Sequence, residues 1–184
     1  MKNILNSWIK IKSNTVYKAK RFSVKKDKVL LPDGQEDEYE YIEKKDFVLI
    51  IPRLGSSFVV VEQFRYPVKK RLIEFPQGVC NDNELPEKAA IRELQEETGL
   101  IPSKLMYLGR LDLAKASSSQ GYHVYFANDF SKGQIKLDNT EGDLTVKNIE
   151  KQQIEKMIKK GKITDSPTIA AYTLYLLNVE HSER

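Results

Sequence analysis

The sequence predicts an α/β or α+β fold, a mixed β-sheet carrying helices, and three observations predict it. Residues 47–52 and 58–64 are adjacent runs of strand length, apolar enough to be central strands. Pro86–Thr98 combines a helical apolar pattern with helix-type ends. Two further helical patterns, 150–160 and 166–177, close the chain after two more strand-like runs.

The elements follow in order. Residues 8–12, 16–24, 28–31 and 39–42 read as short strands, with Pro32-Asp33-Gly34 supplying a turn between two of them. Residues 1–45 hold too few large apolar side chains for a core of their own. They are expected to form an N-terminal antiparallel β arm that packs on the remainder, 46–184, or on a second copy. After the two central strands, residues 71–75 extend the sheet until Pro76-Gln77-Gly78 stops it. In the first helix Pro86 suits the first helical position and Gly99 the C-terminal cap, whereas Leu85 is a poor N-cap. Residues 105–113 and 122–127 are expected strands around a polar loop, 115–120. The helix over 150–160 places Ile154, Met157 and Ile158 on one face and ends at Gly161. The last helix has Pro167 near its start, with Ile169, Tyr172, Leu176 and Leu177 as its buried side.

Composition narrows the class. A chain of 184 residues, 40% hydrophobic and 30% charged, suits one domain with a small appendage rather than a disordered segment. No run approaches the roughly 18 apolar residues needed to cross a bilayer, so no membrane partner is expected. Residues 1–7 do not read as a secretory signal, and a cytoplasmic protein is expected. The single Cys80 excludes an internal disulfide framework, and two histidines leave little for a His/Cys zinc site. The formal charge of +4 sits wholly in residues 1–45, with 11 Lys/Arg against 7 Asp/Glu. That segment lacks basic runs interleaved with aromatics and contains Glu36-Asp37-Glu38. It reads as a solvated strand surface in preference to a nucleic-acid site.

Chemistry concentrates in residues 78–100. Glu93, Glu96 and Glu97 fall at i, i+3 and i+4 on one helical face, while Ala90, Ile91 and Leu94 lie opposite and can dock on the sheet. At about 5 Å and an effective dielectric near 20, each carboxylate pair repels by roughly 3 kcal/mol. Exposed to water, the repulsion shrinks to a few tenths of a kcal/mol and the cluster is a solvated acidic face. Facing a cleft, it needs a divalent cation, and all-oxygen donors favour Mg²⁺ or Mn²⁺ over softer metals.

The wider segment resembles the Nudix box, Gly-x5-Glu-x7-Arg-Glu-U-x-Glu-Glu-x-Gly-U with U aliphatic. Its positions are met by Gly78, Glu84, Arg92, Glu93, Leu94, Glu96, Glu97, Gly99 and Leu100. Seven fixed positions at background frequencies of roughly 5–7% make a chance match rarer than about one in a million. The resemblance implies a Nudix-type mixed β-sheet sandwiched between helices, and hydrolysis of a nucleoside diphosphate linked to another moiety. It implies that Glu93, Glu96 and Glu97 bind Mg²⁺, with the Gln77 carbonyl as a further ligand. Arg92 and Glu84 are then a pair tying loop to helix, with Arg92 counted in the catalytic segment.

Gln63-Phe64-Arg65-Tyr66-Pro67 and Glu74-Phe75-Pro76-Gln77-Gly78 resemble the entry to the box in ADP-ribose and nucleotide-sugar pyrophosphatases. In that subgroup an N-terminal strand arm commonly helps form a homodimer, which suits residues 1–45. The resemblance offers Arg65 for the substrate's phosphates and Glu74 for its base, against a strand-surface ion pair. It offers Tyr66 for stacking on adenine, against simple packing. One feature departs from the subgroup: 114–120, where a Ser-Pro-Gly-like motif is usual, has no proline. The catalytic base is expected in the loop Asn139-Thr140-Glu141-Gly142-Asp143, at Glu141, against an ordinary acidic turn there; Glu97 is the substitute. Cys80 is expected to be inert, His123 a core or cleft residue, and His181 part of the tail. The expected reaction releases a nucleoside monophosphate and a sugar phosphate. The rivals are a Nudix pyrophosphatase for dinucleoside polyphosphates, NADH, CoA or an oxidised nucleoside triphosphate, and a non-catalytic sensor of ADP-ribose-like ligands.

Overall fold

The computed structural model describes residues 7–137 and 141–180 in two compact units. The first comprises residues 7–46 together with Asp112–Gly121. Its strands β1 (Ile9–Lys18), β2 (Ser23–Leu30) and β3 (Glu36–Glu43) form an antiparallel sheet in that order. The break expected after residue 12 is absent. Ser13, Asn14 and Thr15 continue β1, because this strand is exposed along its whole length and no apolar alternation is required of it. The first turn instead lies at residues 19–22, closed by the Ala19 N–H to Phe22 carbonyl bond at 2.9 Å. The turn at Pro32-Asp33-Gly34 is as expected, with Gly34 at φ 87° and its N–H on the Leu31 carbonyl at 2.9 Å. The register places β2 lysines opposite β3 acids. Lys26 pairs with Glu38 at 2.7 Å and Glu40 at 3.3 Å, and Lys28 with Glu36 at 2.5 Å. Part of the positive charge is thus paired within a solvated sheet surface, where each pair contributes little to stability. Loop 112–121 joins this unit through backbone bonds, Ile42 N–H to Ser117 O at 2.9 Å and Ser119 N–H to Ile42 O at 3.0 Å.

The second unit is built on a seven-stranded mixed sheet. β4 (Phe47–Leu54) and β5 (Ser57–Arg65) form a hairpin whose turn is Gly55-Ser56, with Gly55 at φ 60°. β6 (Lys70–Glu74) pairs with the far half of β5, after a short 3₁₀ turn at Tyr66–Val68. β7 (Gln77–Val79) pairs antiparallel with the start of β4, so Pro76-Gln77-Gly78 starts a strand as well as ending one. α1 (Pro86–Thr98) has the expected bounds. Its C-cap is Gly99 at φ 71°, with the N–H on the Gln95 carbonyl at 2.8 Å, a left-handed conformation that glycine adopts without a Cβ clash. β8 (Leu100–Pro102) follows, then β9 (Met106–Asp112) and β10 (Gly121–Ala127). β11 (Phe130–Lys132) pairs with β8, and β12 (Thr145–Glu150) with the first half of β5. α2 (Lys151–Lys159) and α3 (Ser166–Tyr175) complete the unit, followed by a π-helical turn over Leu176–Glu180.

The main order is β12-β5-β4-β10-β9, and β4 and β10 run parallel. The sheet's two sides are both covered, as expected of a sheet between helices. Val48 and Ile50 join Cys80, Ala89, Ala90, Leu94 and Tyr125 in one core cluster under α1. Ala89 takes the inner position expected of Ile91, which is only half-buried. On the other side Phe58 meets Phe75, Tyr172 and Tyr175 edge-on, with centroids 5.1–6.1 Å apart. Arg53 donates to the Tyr175 hydroxyl at 2.8 Å and lies over the Phe126 ring. This corrects the expected buried side of α3. Pro167, Thr168, Ala171, Tyr172 and Tyr175 are buried, Ile169 and Leu176 are half-buried, and Leu177 is exposed because the π-helical turn shifts the phase. β8, β11 and β12 were not expected; β8 and β11 are three residues each, too short to announce a strand, and β12 is largely exposed. No helix among the described residues is long and apolar enough to cross a membrane.

Candidate active site

α1 presents its acidic face to the polypeptide that precedes it, and the solvated alternative does not hold. Glu93 and Glu97 are 9% and 2% exposed, and Glu96 is half-buried. The helix packs on β4, β7 and β8, which brings this face over the short strand Gln77–Val79. The Gln77 N–H donates to Glu97 Oε2 at 3.2 Å. A Cβ on Gly78 would lie 2.0 Å from Glu93 Cδ, so the missing side chain is the space the carboxylate occupies.

Arg92 binds the segment together. Its Nε and Nη2 each donate to one Glu84 oxygen at 2.8 Å, a two-pronged pair. Nη1 donates to Glu93 at 2.6 Å and to Glu96 at 3.1 Å, and Nη2 also reaches the Val79 carbonyl at 3.2 Å. Glu84 in turn accepts the Asn81 N–H at 2.8 Å, which fixes the loop ahead of the helix. The tie between Arg92 and Glu84 expected from the sequence is therefore present. The Arg92 hydrogen bonds hold the Glu84 carboxyl down to about 2.

The two buried carboxylates, Glu93 and Glu97, shift the opposite way from Glu84. Burial pushes Glu93 up to about 7 despite its bond to Arg92, and the charges of Glu96 and Glu141 add to the rise. Burial pushes Glu97 well above the usual carboxylate range, reinforced by Glu141 and Glu93 and opposed by the Gln77 N–H and Arg65. Desolvated acids crowded in this way are stabilised as anions by a nearby cation. Carboxylate oxygens with a neighbouring backbone are the donor set of a hard divalent ion such as Mg²⁺. The residues present therefore fit such an ion in kind. As they stand, no three Asp, Glu, His or Cys side chains among the described residues close on a common point. Arg92 and the Gln77 N–H hold oxygens of all three glutamates.

A second polar group adjoins the first. Arg65, at the end of β5, donates through Nε to Glu74 Oε1 at 2.9 Å, and its Nη2 bonds Glu74 Oε2. Gln77 Nε2 donates to the same carboxylate at 2.5 Å. The ion pair weighed for Arg65 and Glu74 exists, but it is not a surface pair: Glu74 is 1% exposed. Both Glu74 oxygens are engaged, one by Arg65 Nε and the other by Arg65 Nη2 and Gln77 Nε2. Tyr66 is 72% exposed with Lys69 Nζ 3.0 Å from its ring centroid, so it is not packed into the core.

Of the expected base loop, Asn139 and Thr140 lie outside the described residues, as does His181. Glu141 is described, and its charge contributes to the rise of the Glu93 and Glu97 carboxyls. Cys80 is buried in the apolar cluster. His123 is half-buried in β10, its Nδ1 3.3 Å from the Tyr107 hydroxyl. The sequence reading missed Asp165, which caps α3 by accepting the Thr168 N–H at 2.9 Å. Its carboxyl is raised by burial, and it interacts with Glu74 and Arg65. The signal was available: an Asp directly before Ser166-Pro167 is a helix-start pattern. It also missed Arg71 and Asp143, paired at 2.7 Å across 72 positions of sequence, for which no local signal exists.

A glycine-cradled acidic helix packed on a mixed sheet covered on both sides is the arrangement that the resemblance to the Nudix class implied. The chain belongs to the Nudix hydrolase family, whose NUDIX domain matches residues 44–172. Residues 8–42 match a separate family described as the nucleoside diphosphate sugar hydrolase N-terminal domain. The chain is 31% identical over 167 residues to a methanol dehydrogenase activator of Bacillus methanolicus, covering 88% of each chain. It is 24% identical to an ADP-ribose pyrophosphatase of Bacillus subtilis, covering 94% of this chain and 93% of that one. A crystal structure of an ADP compounds hydrolase superposes with a TM-score of 0.86 at 19% identity, covering 98% of both chains, which establishes the fold.

Proposed function

We propose that the protein is a Mg²⁺-dependent pyrophosphatase that hydrolyses the diphosphate bond of ADP-ribose or a related nucleoside diphosphate sugar. The products are a nucleoside monophosphate and a sugar phosphate; Mn²⁺ is the alternative metal. The observation that carries the reading is the burial of Glu93 over Gly78 and of Glu97 on the Gln77 N–H. Similarity to an ADP-ribose pyrophosphatase along nearly the whole chain supports the substrate class.

In this reading Glu93, Glu96, Glu97 and the Gln77 carbonyl hold the metal, which when bound supplies positive charge to the diphosphate and acidity to water. Arg92 orients Glu93 and Glu96 from behind while Glu84 fixes Arg92. Arg65, aligned by Glu74, offers its guanidinium to a phosphate, and Glu74 is the group offered to the substrate's base. Exposed Tyr66 offers a ring face for stacking on adenine. Glu141 accepts a proton from the attacking water, with Glu97 as the substitute base. Residues 1–45 serve as a dimerisation arm: Trp8, Ile9, Ile11, Val16 and Tyr17 of this unit are exposed apolar side chains that a second copy would cover. The protein acts in the cytoplasm, in keeping with its single cysteine.

The test is incubation with Mg²⁺ and a panel of ADP-ribose, nucleotide sugars, NADH, CoA and diadenosine polyphosphates, with products read by mass spectrometry. AMP released from ADP-ribose well above the rest supports the reading. A different preferred member shifts the substrate, and binding without products favours a sensor. Light scattering that gives the mass of one chain at micromolar concentration rejects the dimer.

A further inference from the structure

The chain passes from β11, which ends at Lys132, to β12, which begins at Thr145 in the seven-stranded sheet, and Glu141 lies near the end of that connection. One residue fastens it there. Asp143 Oδ2 accepts the Phe64 N–H at 3.1 Å and Arg71 Nη1 at 2.7 Å, while its backbone carbonyl accepts Arg71 Nη2 at 2.9 Å. Arg71 is itself pinned: Nε donates to Glu62 Oε1 at 2.9 Å and Nη2 to the Glu62 carbonyl at 2.9 Å. Glu62 is also ion-paired with Lys147 on β12. Phe64 and Arg71 face one another in the β5–β6 register, and Glu62 faces Thr145 in the β5–β12 register. The guanidinium thus holds Glu62 of β5 and Asp143 of the connection at once, and a planar fork does this where a single ammonium cannot. The Leu144 N–H to Glu141 carbonyl bond at 2.8 Å closes a turn from Glu141 to the anchored residue.

We propose that Arg71, acting through Asp143, is a positioning residue that sets the place of Glu141 over the acidic face of α1. The proposal rests on the reading of Glu141 as the proton acceptor. It predicts that loosening the anchor misplaces the acceptor by an ångström or so without removing any group that binds substrate. A displacement of that size reduces turnover by about 100-fold at most.

The experiment compares Glu141→Gln, Arg71→Ala and the double variant, with kcat, KM and the pH profile of kcat measured on the panel's best substrate. Arg71→Ala is expected to lower kcat by about 10-fold to 100-fold with KM changed less than about threefold. In the Glu141→Gln background it is expected to lower kcat no further, because the acceptor it places is already gone. Losses that multiply in the double variant would overturn the proposal, as would an Arg71→Ala enzyme of wild-type kcat. Should Arg71→Ala fail to fold, Asp143→Asn keeps an acceptor for the Phe64 N–H and carries the same expectation. Wild-type kcat in Glu141→Gln would instead reject the acceptor reading itself, and the proposal with it.

Discussion

Gly78 and the Glu93 carboxylate share one space: a Cβ on the glycine would fall 2.0 Å from Cδ and 2.1 Å from Oε2. Gly78→Ala is therefore expected to fold, since the obstructed group is the end of a flexible side chain, but to turn Glu93 out of its place. Turnover should fall by about 100-fold or more, of the order seen when a preorganised charged group is lost. Initial rates beside a thermal melt check this, and a Gly78→Ala enzyme with more than half the wild-type rate contradicts it.

Glu97 is the most deeply buried of the three glutamates and is held by one backbone N–H. Glu97→Gln keeps the shape and removes a desolvated charge crowded by Glu93 and Glu141. The metal-free variant should melt at or above the wild-type temperature while losing roughly 100-fold or more in kcat. Near-wild-type rates at saturating Mg²⁺ would remove Glu97 from the metal assignment.

The parts of this site that were legible in the sequence are the local ones. Glu93, Glu96, Glu97 and the caps Pro86 and Gly99 lie within one helix, where spacing of 3.6 residues per turn fixes what shares a face. The tie from Glu84 to Arg92 spans eight residues and came from the resemblance of the segment. Burial was not legible: the same acidic face reads as solvated until Gly78 and Gln77 are seen beneath it. Arg71 and Asp143 meet only because β6 and β12 both flank β5, a pairing no periodicity announces. β12 itself is exposed along nearly all its length and so lacks the alternation that marks a half-buried strand.

The Glu93 shift makes the metal-free protein pH-sensitive in a definite direction. Below about 4.5 the carboxyl is protonated in both folded and unfolded chains, and nothing is lost. Between 4.5 and about 7 the unfolded chain gives up the proton and the folded one keeps it, so stability falls as pH rises. The loss levels off above 7 and amounts to about 3 kcal/mol. Glu84 works the other way: held down to about 2, its contribution is present above 4.5 and disappears as pH falls through 2. Urea denaturation in chelator should therefore show this site favouring a pH near 4.5. Glu93→Gln should flatten the decline toward 7, and added Mg²⁺ should reverse it. A metal-free wild type equally stable at pH 5 and pH 7.5 contradicts the burial argument.

Arg92 is where stability and catalysis meet. Its five N–H donors reach Glu84 twice, Glu93, Glu96 and the Val79 carbonyl, so one side chain serves three carboxylates on a partly buried face. Arg92→Lys retains the charge, but an ammonium offers three donors from one point and cannot span Glu84 and Glu93 together. At pH 7.5 the variant should lose about 2–3 kcal/mol, the scale for unmaking charge-assisted bonds at a half-buried pair. Glu84→Gln, which leaves an amide oxygen facing Nε, should lose less than Arg92→Lys. Mg²⁺ should restore part of the Arg92→Lys loss, because a cation can compensate the repulsion among Glu93, Glu96 and Glu97, but it should not restore Glu84→Gln, whose defect lies in the loop. Equal rescue of both variants, or a loss under about 0.5 kcal/mol in Arg92→Lys, would show that the guanidinium is a surface neighbour of these acids with no part in holding them.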